Sequence, residues 1–160
     1  MKPKHFKNID ELKDYLKDKQ IEEANQYIDI YHNKQDKLKG HKLGIVYTPK
    51  EVSDFIVESV KDILKTKFAK DLSDDDVEIL DPFTGSGIFI NSLVEHMEPQ
   101  DVDKKLKNDT IQAMEIDRES KEIGDILLNN KLKKLGCKKH IEIKLGDTFE
   151  LYDLTNGFKE

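Results

Sequence analysis

This chain has little of several features that mark secreted or membrane proteins. Its 160 residues include one cysteine, Cys137, four prolines and no tryptophan. One cysteine cannot form an internal disulfide, no apolar run is long enough to cross a membrane, and no basic-then-apolar leader is present. These absences predict a reduced, cytoplasmic protein that is not attached to a membrane.

Arginine is also scarce. The chain has 33 acidic residues against 27 lysines and arginines, for a net charge of −6, and Arg118 is the only arginine. Arginine is the preferred reader of guanine edges and phosphate groups. The chain therefore lacks the basic footprint of a DNA-contacting surface. Its five histidines are scattered along the sequence, so no metal site is predicted.

The most informative stretch that is present is Asp81-Pro82-Phe83-Thr84-Gly85-Ser86-Gly87, which directly follows the apolar residues 77–80. The pattern predicts a strand ending in an acid, a glycine turn and a helix start. Such a turn lets the backbone approach a ligand, and the helix start offers free N–H groups. The dinucleotide fingerprint is not completed, because Ile90 stands where its third glycine should be, and no Gly-Lys-Ser/Thr follows to make a P-loop. An acid here repels phosphate and suits an ammonium group, which favours a ligand carrying an amino acid.

Two more acids follow short segments with strand character, residues 110–114 and 141–145. Glu115 directly follows the first segment, and Asp147 comes shortly after the second. Between them, residues 118–135 have helical spacing with Gly136 as the C-cap. Alternating strands and helices predict a parallel sheet, in which ligands bind at the carboxyl ends of the strands.

Four stretches together resemble the S-adenosylmethionine-dependent DNA adenine-N6 methyltransferases. The glycine turn with Phe89 resembles their glycine loop, and residues 44–49 resemble their Gly-x-x-Tyr-Thr-Pro element. Glu115-Ile116-Asp117 and Gly146-Asp147-Thr148-Phe149 resemble the acids after the second and third strands. The likeness covers about residues 40 to 150, and its parts occur in the family's order.

The resemblance implies S-adenosylmethionine as cofactor. It implies that Asp81 and the glycine backbone hold the methionine end, that Glu115 holds the ribose, and that Asp147 and Ile116 hold the adenine. The cofactor-binding residues that it implies are Tyr47, Thr48, Pro49, Asp81, Pro82, Phe83, Thr84, Gly85, Ser86, Gly87, Phe89, Glu115, Ile116, Asp147 and Thr148.

Each assignment has a structural alternative. Thr48 with Glu51 also fits a capping box, in which Thr48 is the N-cap and Pro49 the first helical residue. Asp81 before a proline is also a common turn start. The aromatic residues Tyr47 and Phe89 fit a core as well as a ligand site, and acids such as Glu115 and Asp147 are often merely solvated.

The family's Asp/Asn-Pro-Pro-Tyr/Phe motif, which grips the target base, is missing, because no Pro-Pro occurs in the sequence. The resemblance therefore implies a partial Rossmann-like α/β methyltransferase sheet of about three parallel strands. Residues 1–42 are expected to form a helical amino-terminal segment, and residues 43–160 a partial S-adenosylmethionine-binding domain. No catalytic residue is assigned within this chain, which is expected to be inactive alone.

The function implied is the cofactor-binding part of a DNA adenine-N6 methyltransferase in a restriction-modification system. DNA would be contacted mostly by segments that this chain lacks. A methyltransferase acting on RNA, protein or a small molecule is one alternative, and a non-catalytic subunit or interaction module is another. A partial sheet would leave one edge of residues 77–80 unpaired, which predicts self-association or a cover by the amino-terminal helices.

Overall fold

A three-stranded parallel sheet forms the centre of the protein. The computed structural model describes residues 6–21, 23–24, 27–28, 48–153 and 157–158. The strands are β1 (Ile79–Asp81), β2 (Ile111–Glu115) and β3 (Lys144–Leu145), in the spatial order β1-β2-β3. A separate antiparallel pair, β4 (Tyr152–Asp153) and β5 (Gly157–Phe158), follows. This architecture confirms the predicted partial Rossmann-like α/β fold.

The described helices are α1 (Ile9–Leu16), α2 (Lys50–Ile63), α3 (Ile88–Glu95), α4 (Pro99–Lys107), α5 (Arg118–Leu135) and α6 (Thr148–Leu151). A π-helical turn, Leu64–Phe68, continues α2, and residues 21, 23, 24, 27 and 28 are also helical. Over these described segments, no helix has the length and apolarity needed to cross a membrane.

The bounds of α5 follow from its two caps. The side chain of Asp117 accepts a hydrogen bond from the Ser120 N–H at 2.9 Å, which satisfies one free donor of the first turn. At the other end, Gly136 takes the left-handed conformation with φ of 85°. The helix therefore begins and ends where the sequence predicts.

Strand β3 is shorter than the predicted segment 141–145, because α5 competes for its backbone. The Ile141 N–H donates to Asn129 Oδ1 at 3.1 Å, and the Ile143 N–H donates to Asp125 Oδ1 at 2.8 Å. Residues 141–143 thus satisfy donors through side chains, and the ladder with β2 starts only at Lys144.

Helix α4 lies within residues 95–109, a mostly polar stretch that contains Pro99. Pro99 occupies its first turn, where a proline costs no hydrogen bond. Its buried residues include Lys105, whose ammonium donates to the carbonyls of Asp74 and Val77 at 2.8 and 2.7 Å. The tertiary contacts of the buried Lys105 therefore stabilise α4, although its polar composition is typical of a solvent-exposed segment.

Two hydrophobic cores lie on either side of α5. The first joins the sheet to α2, α3, α4 and α5. The second joins α5 and the start of α3 to α1 and the neighbouring helical residues; it comprises Leu12, Leu16, Ile21, Ala24, Ile28, Ile88, Ile123 and Leu127. Asn130 also donates to the carbonyls of Leu16 and Lys19 at 2.9 and 2.8 Å. The main packing partner of the described amino-terminal helices is therefore α5, not the edge of β1.

Helix α2 leaves its apolar stripe largely exposed. Only Ser53 and Val57 are buried on this helix, while Phe55 is 72% exposed. The other large apolar residues exposed here are Val52, Ile56, Val60, Ile63 and Phe68. The exposed apolar face of α2 is of a kind that is uncommon on a monomer and favours association.

Among the described residues β1 pairs with β2 alone, so its other edge has no strand neighbour there.

We expect the isolated chain to self-associate, and we expect Phe55→Ser to weaken that association because it removes the most exposed aromatic ring of α2. Its effect on the free energy of unfolding should stay within about 0.5 kcal/mol, the usual range at an exposed position. Static light scattering against concentration measures association, and urea unfolding measures stability. Val57→Ser, at a buried position of the same helix, is the control and should destabilise the protein. Unchanged association in Phe55→Ser would contradict the prediction.

Candidate functional site

The glycine turn after β1 forms a tight loop anchored on β2. The Thr84 N–H donates to the Met114 carbonyl at 2.8 Å, and the Gly87 N–H donates to the Thr84 carbonyl at the same distance. Gly85 and Gly87 have φ of 56° and 89°, a region that residues with a side chain rarely adopt. A Cβ placed on Gly85 would meet no atom within 4 Å, so open space lies in front of the loop.

Glu115 connects the loops that follow all three strands. Its carboxylate accepts from the Gly85 N–H at 2.8 Å through Oε2 and from the Asp117 N–H at 2.9 Å through Oε1. Its carbonyl accepts from the Gly146 N–H at 2.9 Å. A carboxylate has about four acceptor sites, so each of these oxygens can accept one more donor. Glu115 is therefore a structural anchor whose carboxylate retains acceptor capacity.

Asp81 ends β1 with a carboxylate that the described residues satisfy only in part. The Phe83 N–H donates weakly to Oδ1 at 3.4 Å, and no donor of the described residues reaches the buried Oδ2. Burial, and secondarily the negative charge of Glu115, raise the pKa of Asp81 to about 6. A buried acceptor that no described residue satisfies favours a cationic or hydrogen-bond-donating ligand.

The loop after β3 completes the edge. The Thr148 hydroxyl donates to the Pro82 carbonyl, which ties this loop to the glycine loop. Asp147 accepts from the Phe149 N–H at 2.9 Å through Oδ1. The rings of Phe83 and Phe149 lie 5.7 Å apart, and the two residues are 64% and 83% exposed. Together with the exposed Ile116, they give the site an apolar rim suited to a flat ring system.

Four predicted site residues, Tyr47, Thr48, Pro49 and Phe89, lie outside the three strand-end loops in the sequence. Tyr47 lies outside the described residues. The N-cap of α2 is Pro49, so Thr48 lies one residue before the cap and the predicted capping box is wrong. Phe89 is half-buried against the second hydrophobic core, which supports its alternative interpretation as a core aromatic.

Sequence reasoning gave no role to Phe149, although its ring lies against that of Phe83. An aromatic residue two positions after the acid Asp147 was the available signal. The sequence analysis also gave no role to Gly124, whose position in the middle of a helix is unusual for a glycine. No group of three or more potential metal ligands occurs within the part of the chain that the structure describes.

A parallel sheet with a glycine loop after β1 and acids after β1, β2 and β3 is the arrangement expected of a Rossmann-like methyltransferase. The sequence matches the N-6 DNA methylase family over residues 26–157, most of its length. The chain belongs to this family. A search of the curated proteins gave no match.

Solved structures of longer proteins contain a similar unit. The DrdV–DNA complex matches with 28% identity and a TM-score of 0.70 over 96% of this chain. The Type ISP restriction-modification enzymes LlaGI, with a DNA substrate mimic, and LlaBIII, bound to DNA, match with 33% and 32% identity. Their TM-scores are 0.65 and 0.67 over 81% and 87% of this chain. The chain spans 14%, 11% and 10% of the three proteins, respectively.

We expect Asp81→Asn to stabilise the protein above pH 6. The pKa of Asp81 is raised from 3.8 to about 6, so the folded state holds this proton more tightly than the unfolded state. The wild type should therefore lose stability as the pH rises from about 4 to about 6, and the variant should not. At pH 7 the free energy of unfolding of the variant should exceed that of the wild type by on the order of 1–3 kcal/mol. Urea unfolding at several pH values measures it.

Asp62→Asn makes the same chemical change at an exposed position of α2 and serves as the control. An equal pH-dependent gain in both variants would show that burial of Asp81 is not its cause.

Proposed function

We propose that this chain is the cofactor-binding part of a DNA adenine-N6 methyltransferase of a restriction-modification system. The observation that carries the proposal is the buried, incompletely satisfied carboxylate of Asp81 at the start of the glycine loop, in which Gly85 has an open side. This pair suits the ammonium group of S-adenosylmethionine, and membership of the N-6 DNA methylase family supplies the context.

The residues present fit that cofactor. Asp81 would accept from its ammonium, and the loop backbone at Gly85–Gly87 would lie along its methionine end. Glu115 has acceptor capacity left for two ribose hydroxyls after binding its backbone donors. Asp147 would accept from the adenine amino group, with Ile116 against the ring. The cofactor supplies an electrophilic methyl group on sulfur, which the adenine amino nitrogen accepts.

DNA is the proposed substrate, and it implies a cytoplasmic location. The acidic balance of this chain means that most phosphate contacts would come from other segments of a longer protein. An enzyme that methylates a base amino group takes the base out of the stack and holds it beside the cofactor. This chain would place the methyl donor for that step, and positioning of the two reactants is a large part of such catalysis.

We expect calorimetry to show that S-adenosylmethionine and S-adenosylhomocysteine bind more tightly than NAD or ATP. Asp81 favours an ammonium and disfavours phosphate, and each of the last two ligands carries phosphates but no amino acid. Tighter binding of NAD or ATP would contradict the proposed cofactor.

The same calorimetry tests the roles of the acids. Glu115→Ala should weaken binding of S-adenosylhomocysteine by about 1.5 to 3 kcal/mol, the range for hydrogen bonds to a charged group. Asp147→Ala should weaken it less, because one donor is lost. Glu78→Ala removes the same charge at an exposed residue before β1, away from the strand ends, and should bind as the wild type does. Equal losses in all three variants would place the site elsewhere.

We expect this chain alone to transfer no methyl group to DNA, because it lacks the Pro-Pro motif that would hold the base. Incubation with tritiated S-adenosylmethionine and mixed-sequence DNA measures transfer, with parallel samples of RNA and of protein. Incorporation into DNA above a protein-free blank would show that catalytic residues lie within this chain. Incorporation into RNA or protein alone would identify a different substrate class.

A further inference from the structure

Gly124 lies in the middle of α5, where a glycine lowers helix stability by about 1 kcal/mol relative to alanine. Its surroundings give the reason for the glycine. A Cβ at this position would lie 2.8 Å from the Gly85 carbonyl oxygen and 2.5 Å from Cδ1 of Ile143. The missing side chain therefore lets α5 approach the backbone of the glycine loop.

The backbone of Gly85 is consequently held at its N–H and at its carbonyl. Its N–H donates to Glu115, and its carbonyl lies against the bare backbone of Gly124. The position where a Gly85 side chain would lie is open. The loop is thus supported from behind by α5 and is accessible from the front.

Helix α5 is poorly able to move away from the loop. On its other side, Ile123 and Leu127 are fully buried in the second hydrophobic core against α1. Asn130 adds two hydrogen bonds, one to the carbonyl of Leu16 at the end of α1 and one to that of Lys19 just beyond it. Interiors packed in this way resist displacement, so a larger residue at position 124 would displace the partly exposed loop instead.

We propose that Gly124 is a positioning residue: it sets the depth at which the glycine loop lies and thereby aligns the Gly85 backbone with Glu115 for the cofactor. The inference rests on the proposed cofactor-binding function. Gly124→Ala would push the Gly85 carbonyl outward and lengthen the hydrogen bond from the Gly85 N–H to Glu115. The cofactor would then meet a misplaced loop, although residue 124 itself does not touch it.

The test compares Gly124→Ala with a control at a distant buried site. Gly124→Ala should lower affinity for S-adenosylhomocysteine at least tenfold by calorimetry. Without cofactor, it should speed hydrogen exchange of the Gly85 amide at least tenfold. Val102→Ala removes buried volume in α4 and should lower the urea midpoint while both readouts stay at wild-type values. Equal effects of the two variants on affinity and exchange would mean general destabilisation and would overturn the inference.

A second variant separates the two contacts of the added methyl group. Ile143→Val deletes Cδ1, the atom at 2.5 Å, and leaves the contact with the Gly85 carbonyl. Gly124→Ala with Ile143→Val should therefore recover stability but not affinity, whereas recovered affinity would overturn the role of Gly85. If the wild type binds neither S-adenosylmethionine nor S-adenosylhomocysteine, the proposed function fails. The exchange rate of the Gly85 amide then decides the inference by itself.

Discussion

The carboxylate of Glu115 at the end of β2 is the interaction on which the site depends. It fixes the glycine loop through Gly85 and the entry to α5 through Asp117, while its own carbonyl receives the Gly146 N–H of the third loop. Hydrogen bonds to a charged acceptor contribute about 1.5–3 kcal/mol each, more than most contacts at an exposed loop. The side chain and backbone carbonyl of a single residue thus align three loops, which the parallel sheet alone would bring only to the same edge.

Two acids at this edge serve different purposes because their environments differ. Glu115 is satisfied by backbone donors, whereas Asp81 is left with a buried oxygen and a raised pKa. The hydrogen bond from the Gly85 N–H to Glu115 stabilises the loop that follows Asp81, whose own charge is unfavourable in the folded state. Buried groups with a perturbed pKa are common at ligand sites. The two neighbouring carboxylates therefore differ in their effect on stability.

The sequence was sufficient where local signals decide the structure. Asp117 and Gly136 define α5, and alternation of strands and helices predicts the parallel order. The sequence was insufficient where tertiary contacts override composition. The buried ammonium of Lys105 stabilises α4, although the polar composition of this segment is typical of a loop. Side chains of α5 similarly take the donors of Ile141 and Ile143 and shorten β3. The acids could be placed at one edge from the sequence, but the backbone hydrogen bonds of Glu115 could not, since a motif does not show which donors a carboxylate already binds.

The exposed stripe of α2 has a consequence for the lifetime of the chain in a cell. Phe55 and its apolar neighbours on that helix present the kind of surface that chaperones retain and that proteolytic quality control samples. How long a molecule persists would depend on how soon this surface is covered, and not only on its free energy of unfolding. The cellular abundance of the chain would then depend on assembly as much as on folding.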